Sequence, residues 1–142
     1  MAKGIKSGPA PRAQKNIPPV QPSSDNPLLR FSFKLISLTG EKFCVRRCAS
    51  GYLDRFLNRL RDLSHLSVKE FRTNRSPAIR SHQIDFSRTS EPNGFAHLNE
   101  QLQAEQPWQF EITSNEHGRV HGLLIDDTFY VVWIDPDHLL YD

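Results

Sequence analysis

The chain has 142 residues, 37% of them hydrophobic, with a mean hydropathy of −0.54 and a net charge of +2. That is room for one ordinary domain, not wholly used by a packed core. No apolar run approaches the roughly 20 residues that span a bilayer. Met1 to Lys6 is basic but leads into Pro, Ser and Gln rather than an apolar stretch, so the expectation is a cytoplasmic protein with no membrane partner.

The low hydropathy is concentrated at the N-terminus. Six of the 10 prolines (Pro9, Pro11, Pro18, Pro19, Pro22 and Pro27) fall within residues 1–27, which contain no aromatic residue. Such a stretch buries too little apolar surface to offset the entropy of ordering it, so residues 1–27 read as a disordered tail. Residues 28–142 carry every Phe, Tyr and Trp of the chain and read as a single domain.

Charge is as unevenly spread as proline. Residues 1–27 sum to +3, residues 28–88 to +8 and residues 89–142 to −9. Within 28–142 there are 11 Arg and only 3 Lys, a bias that suits forked recognition of phosphate or carboxylate. The middle segment is therefore either a nucleic-acid face or the charge partner of the acidic C-terminal segment.

In chain order, Arg30 to Leu38 alternates apolar and polar residues, Thr39-Gly40 supplies turn chemistry, and Lys42 to Arg47 resumes the alternation. The pattern predicts a β-hairpin. Ser50 is a candidate cap for a helix over 51–64, with Leu53, Phe56, Leu57, Leu60 and Leu63 as its apolar stripe and Arg55, Arg59 and Asp62 facing outward. Ser67 followed by Glu70 resembles a capping box, which adds a further helical turn over Val68 to Arg72. A loop around Pro77 and a short strand over His82 to Phe86 come next.

A second helix is predicted over 94–104, capped by Asn93, with Phe95, Leu98 and Leu102 turned inward. The rest reads as a three-stranded meander: Trp108 to Thr113, Arg119 to Ile125, and Phe129 to Ile134, the last almost wholly apolar and so central. The fold class expected is α+β, an antiparallel sheet with one or two helices packed on one face, the 51–64 stripe covering Trp108, Phe110, Val131 and Trp133.

The seven glycines are scattered, and neither GxGxxG nor GxxxxGKS/T occurs, so no nucleotide cofactor is expected. HExxH, CxxC and GxSxG are absent too. Cys44 and Cys48 read as reduced thiols, too far apart along a strand for a disulfide. Asp126-Asp127 and Asp135-Pro136-Asp137 read as turn chemistry rather than metal ligands, so neither a metal nor any other cofactor is expected.

What remains is a cluster in the last three strands and the terminal segment: Glu111, Glu116, His117, Arg119, His121, His138 and Tyr141. Strand alternation puts Arg119 and His121 on one face. Imidazole, guanidinium, carboxylate and phenol together are what RNA cleavage without metal needs. A base takes the 2′-OH proton, an acid protonates the leaving 5′-oxygen, and Arg balances charge on phosphorus. The opposing possibility is purely structural: Arg119 pairs with Glu111 across the hairpin, and single His residues are bystanders.

The stretch from Trp108 to Gly122, the Asp126-Asp127 pair, Phe129 to Trp133, and Asp135 to Tyr141 resemble the C-terminal half of the RelE/YoeB-like toxins of the RelE/ParE superfamily. The resemblance implies a small RNA-cleaving or ribosome-dependent toxin, with RNA or the ribosome as substrate partner and an antitoxin protein covering the site. It implies catalytic roles for Glu111, Arg119, His138 and Tyr141; the strand-face reading adds His121 to the catalytic set, so that Arg119 is the phosphate clamp and His121 or His138 the acid/base. Where that family has a helical hairpin before the sheet, this sequence reads as one helix with an extra turn. An acidic C-terminal segment cannot hold an RNA backbone, so Arg72, Arg75, Arg80 and Arg88 are the expected RNA-binding residues.

The function expected is a metal-independent, toxin-like endoribonuclease. The alternative is a non-catalytic protein-interaction module with a basic and an acidic surface. A third reading is an Arg-rich nucleic-acid binder without chemistry.

Overall fold

A computed structural model describes residues 25–73, 76–114 and 116–141. The expectation of a disordered tail therefore falls almost wholly outside the described residues. Five strands form one open sheet in the order β1-β5-β4-β3-β2: β1 (Arg30–Ser32), β2 (Ser81–Gln83), β3 (Pro107–Glu111), β4 (Arg119–Ile125) and β5 (Thr128–Asp135). Three helices are present among the described residues: α1 (Tyr52–Leu63), α2 (Val68–Thr73) and α3 (Glu100–Gln103). The class is α+β, as expected, and no helix among the described residues is long and apolar enough to cross a membrane.

The meander forms as its alternation predicts. β3 pairs antiparallel with β4, and β4 with β5, so that Glu111 faces Arg119 and Arg119 faces Asp135. The apolar β5 is an interior strand, with β4 on one side and β1 on the other.

The N-terminal hairpin does not form. β1 is three residues long and runs parallel to β5, Phe31 opposite Phe129. Its ring lies 5.9 Å from Phe110 and 6.0 Å from Phe129. Burial against the interior strand outweighs pairing with the next segment, since alternation records which face is apolar and not which strand is the neighbour. Residues 42–47 are no strand. Val45–Arg47 is a 3₁₀ turn whose amide at Arg46 donates to Cys44 Sγ. Both cysteines are free thiols.

α1 forms where predicted but is rotated. Its buried residues are Tyr52, Phe56, Leu60 and Leu63, while Leu53 and Leu57 are 67% and 55% exposed. Gly51, at φ 84°, precedes the first turn without any side-chain cap, so Ser50 does not serve as one. Val68–Thr73 is a helix of its own, and Ser67 Oγ accepts from the Glu70 amide as the capping motif requires. Two helices thus precede the meander where the sequence suggested one and a turn. The 94–104 helix shrinks to Glu100–Gln103, with Asn99 rather than Asn93 accepting from the Leu102 amide at 2.9 Å. Phe95 is buried from an irregular segment instead.

Both faces of the sheet are covered, not one. On the first, α1 and α2 pack over Trp108, Phe110, Val120, Phe129 and Val131. On the second, Phe43, Ile84, Phe95 and Leu140 arrive from irregular segments and close over Leu123, Val132 and Trp133. A bulge in the β4–β5 ladder, next to His121 and Gly122, makes this division. It leaves Val132 without a partner and turns Trp133 to the second face, away from Val131 and α1. One extra residue reverses side-chain alternation. Trp133 stacks there on Phe43, centroids 4.5 Å apart.

Candidate functional site

The chemistry-bearing side chains gather at the end of the sheet where β3 stops, β4 begins and β5 stops. Glu111 closes β3 and Arg119 opens β4, so the hairpin register sets them opposite one another. Arg119 Nη2 lies 3.4 Å from Glu111 Oε1, and Arg80 Nε lies 3.8 Å from Oε2. Both distances exceed the 2.7–2.9 Å usual for a charge-assisted hydrogen bond. Arg119 Nε is buried without a hydrogen-bond partner among the described residues.

Arg80 reaches the site because Arg59 holds its loop. The Arg59 guanidinium donates to the carbonyls of Glu111 (2.8 Å), Ala78 (2.7 Å) and Ile79. Burial pushes its pKa down to about 10, and the nearby Arg80 charge adds to the effect. Three carbonyl partners are what permits a half-buried cation here. Arg80 itself has φ 50°, a conformation uncommon outside glycine. Beside it runs a shallow groove lined by Ser76, Pro77, Ala78 and Arg80. Three guanidinium groups thus converge on Glu111, two of them brought from the basic 28–88 segment onto the segment that sums to −9.

His138 belongs to the same end. Asp135 lies opposite Arg119, and the turn that follows Asp135 carries His138, half-exposed and at φ 56°. The charges of Arg119 and His138 are both felt at His121, where each lowers the pKa.

His121 shares this face with Arg119, as alternation predicts, but it is 0% exposed. Its Nε2 lies 3.0 Å from Asp135 Oδ2, and the ring of Phe43 meets it edge-on at 6.1 Å. Burial holds its pKa below the ordinary 6.5, against the pull of Asp135, so the imidazole is neutral and donates from Nε2. Asp135 would be raised by burial alone. The hydrogen bonds from His121, Leu139 and Leu140 outweigh this and hold its pKa below 3.8. A residue without solvent access cannot touch RNA, so the expected acid/base role for His121 is corrected to a supporting one. Tyr141 is half-buried, its ring packed against the second core. His117 lies in the turn before β4, with Nδ1 3.1 Å from Thr113 Oγ1.

Of the expected RNA-binding arginines among the described residues, Arg80 joins this end and Arg72 and Arg88 do not. Arg72, exposed in the last turn of α2, lines a pocket with Lys69, Asp126 and Asp127, at the opposite end of the sheet. Arg88 follows β2 as it runs away from Glu111, and it pairs with Asp85 at 3.6 Å. Both are corrections to the expected set. Arg75 lies outside the described residues.

Two contributors escaped sequence reasoning. Arg59 stands four residues from Arg55 and looked like part of a solvated helix face; only the one-step rotation of α1 turns it inward. Asp135 carried a turn signal, and that signal was correct, since its carboxylate caps the turn. Its second use, as partner of His121, is a cross-strand relation that spacing does not display. Among the described residues, no group of three or more His, Cys, Asp or Glu is placed to hold a metal ion.

No protein-family model matches the chain, and neither a curated protein nor a solved structure shows significant similarity to it.

Proposed function

We propose that this chain is a metal-independent, toxin-like endoribonuclease whose reacting groups are Glu111, Arg119 and His138. The observation that carries the reading is the Glu111 carboxylate lying between Arg119 and Arg80 at loose ion-pair distance, at the sheet end where His138 emerges. An incoming phosphodiester competes for both guanidiniums and frees the carboxylate. Glu111 then accepts the 2′-OH proton, the 2′-oxygen bonds to phosphorus, and the bond from phosphorus to the 5′-oxygen breaks. Protonated His138 gives its proton to that leaving oxygen, and Arg119 with Arg80 balances charge on the phosphoryl oxygens. The products are a 2′,3′-cyclic phosphate and a 5′-hydroxyl. Two helices followed by the meander match the order the RelE-type resemblance implies, and an antitoxin protein that covers this end is part of the proposal.

The test is incubation of the purified chain with labelled RNA in EDTA, with and without ribosomes. Arg119→Ala and His138→Ala should each slow cleavage by about a hundredfold and leave the Tm unchanged. Full activity in both variants ends this mechanism.

A second reading, a non-catalytic interaction module, is favoured by one observation. Phe33, Leu53 and Leu57 are exposed in and around α1, and Phe33 packs on Phe56 at 6.2 Å. If the wild type binds RNA or a partner protein but cleaves nothing, this second reading replaces the first.

A further inference from the structure

Asp135 is 1% exposed, and its carboxylate accepts three hydrogen bonds. His121 Nε2 lies 3.0 Å from Oδ2, the Leu139 amide 2.8 Å from Oδ1, and the Leu140 amide 3.0 Å from Oδ2. One donor comes from the middle of β4 and two from the chain beyond β5. A single buried carboxylate therefore ties the 135–140 turn back onto the sheet it has just left.

His138 sits inside that turn at φ 56°, a backbone conformation that a non-glycine residue keeps only where its surroundings over-determine it. The surroundings here do so from both sides. Pro136 has its φ fixed by its ring. Past His138, the two amides are held by Asp135, and the carbonyls of Leu139 and Leu140 accept from Ser90 Oγ at 2.6 Å and the Ser90 amide at 2.8 Å. Leu140 is fully buried. On the side facing β4, Gly118 lies so close that an added Cβ would stand 2.0 Å from the Asp135 carbonyl oxygen.

We propose that the buried Asp135–His121 pair is a latch that fixes the 135–140 turn and thereby presents His138 beside Arg119. His121 is a positioning residue. It supplies a side-chain N–H to Oδ2 beside the Leu140 amide and so ties that oxygen to β4, and it lies under Phe43 with Gln109 opposite it on β3 and Trp133 on β5. The consequence for catalysis rests on the endoribonuclease reading; the latch itself does not.

The experiment uses the full chain and two substitutions at one position. His121→Gln keeps an N–H near the place of Nε2, whereas His121→Leu removes it. Hydrogen exchange at the Leu139 and Leu140 amides should quicken about tenfold or more in His121→Leu relative to the amides of Phe110 and Val131. In His121→Gln it should stay close to wild type. For RNA cleavage, His121→Leu should lower kcat by about tenfold or more with KM little changed, and His121→Gln should recover most of it. Unchanged protection of Leu139 and Leu140 in His121→Leu overturns the latch. So does a His121→Gln variant that keeps those amides protected yet loses cleavage as fully as His138→Ala, because the imidazole would then be reacting directly. If the wild type cleaves no RNA, the endoribonuclease reading falls while the exchange arm still decides the latch. Should His121→Leu not fold, the ¹⁵N shifts of His121 in the wild type decide it: a proton on Nε2 and none on Nδ1 agrees, and the reverse tautomer refutes.

Discussion

The two faces of the sheet are covered by different means. Over the first, α1 and α2 lay an apolar surface on Phe110, Phe129 and Val131. Over the second, irregular segments around Phe43, Phe95 and Leu140 close on a face that also holds His121, Gln109 and Asp135, all buried. The first face has the periodicity of a helix behind it and supplies stability. The second accepts buried polar groups, which cost free energy unless hydrogen-bonded, and in return it fixes a turn that carries an imidazole.

The sharpest way to set the faces apart is to cut into each. Phe110 is fully buried on the first face, with the rings of Phe31, Phe71 and Phe129 around it at 5.0 to 6.3 Å. Phe110→Ala should cost about 3–5 kcal/mol in urea unfolding. On the second face, Asp135→Asn leaves one of three donors without a proper acceptor. It should cost about 1–3 kcal/mol, and the loss should centre on the 135–140 turn rather than on α1. A loss spread evenly over both faces would erase the distinction between them.

Acid should also distinguish the faces. The folded-state pKa values of His121 and Asp135 are both held below their ordinary 6.5 and 3.8. A depressed folded pKa means that the unfolded chain binds the proton first, so stability falls as pH falls. The contribution of the pair is complete above about pH 6.5. It is lost first as His121 is forced to charge below that value, then as Asp135 protonates below about 3.8. Unfolding measured across pH 7 to 3 should show the first loss in wild type and not in His121→Gln. A flat profile from pH 7 to 5 in both proteins would contradict a neutral, buried His121.

The smallest expected effect lies outside both faces. Leu57 is 55% exposed, so Leu57→Ala should change stability by no more than about 0.5 kcal/mol.

Leu57 also marks how far the sequence could be read. Apolar residues at 52, 53, 56, 57, 60 and 63 cover a wider arc than one buried stripe, so periodicity located α1 but not its rotation. The meander was legible because alternation and turn residues coincide over three consecutive strands. β1 was not, since its partner β5 lies about a hundred residues away in the chain. At the site, the Glu111–Arg119 pair and the position of His138 in the turn after β5 followed from strand order alone. The burial of His121 did not, because it depends on irregular segments that have no period, and on a bulge that one extra residue creates.

The central claim is that Glu111 and Arg119 form a reacting pair and not merely a cross-strand ion pair. The most direct measurement is single-turnover cleavage of end-labelled RNA in EDTA, with ribosomes supplied if free RNA is inert, comparing wild type with Glu111→Gln and identifying the new ends. The account predicts fragments ending in 2′,3′-cyclic phosphate and 5′-hydroxyl, formed about a hundredfold more slowly by Glu111→Gln. Equal rates for the two proteins, or no cleavage by the wild type under either condition, would contradict it.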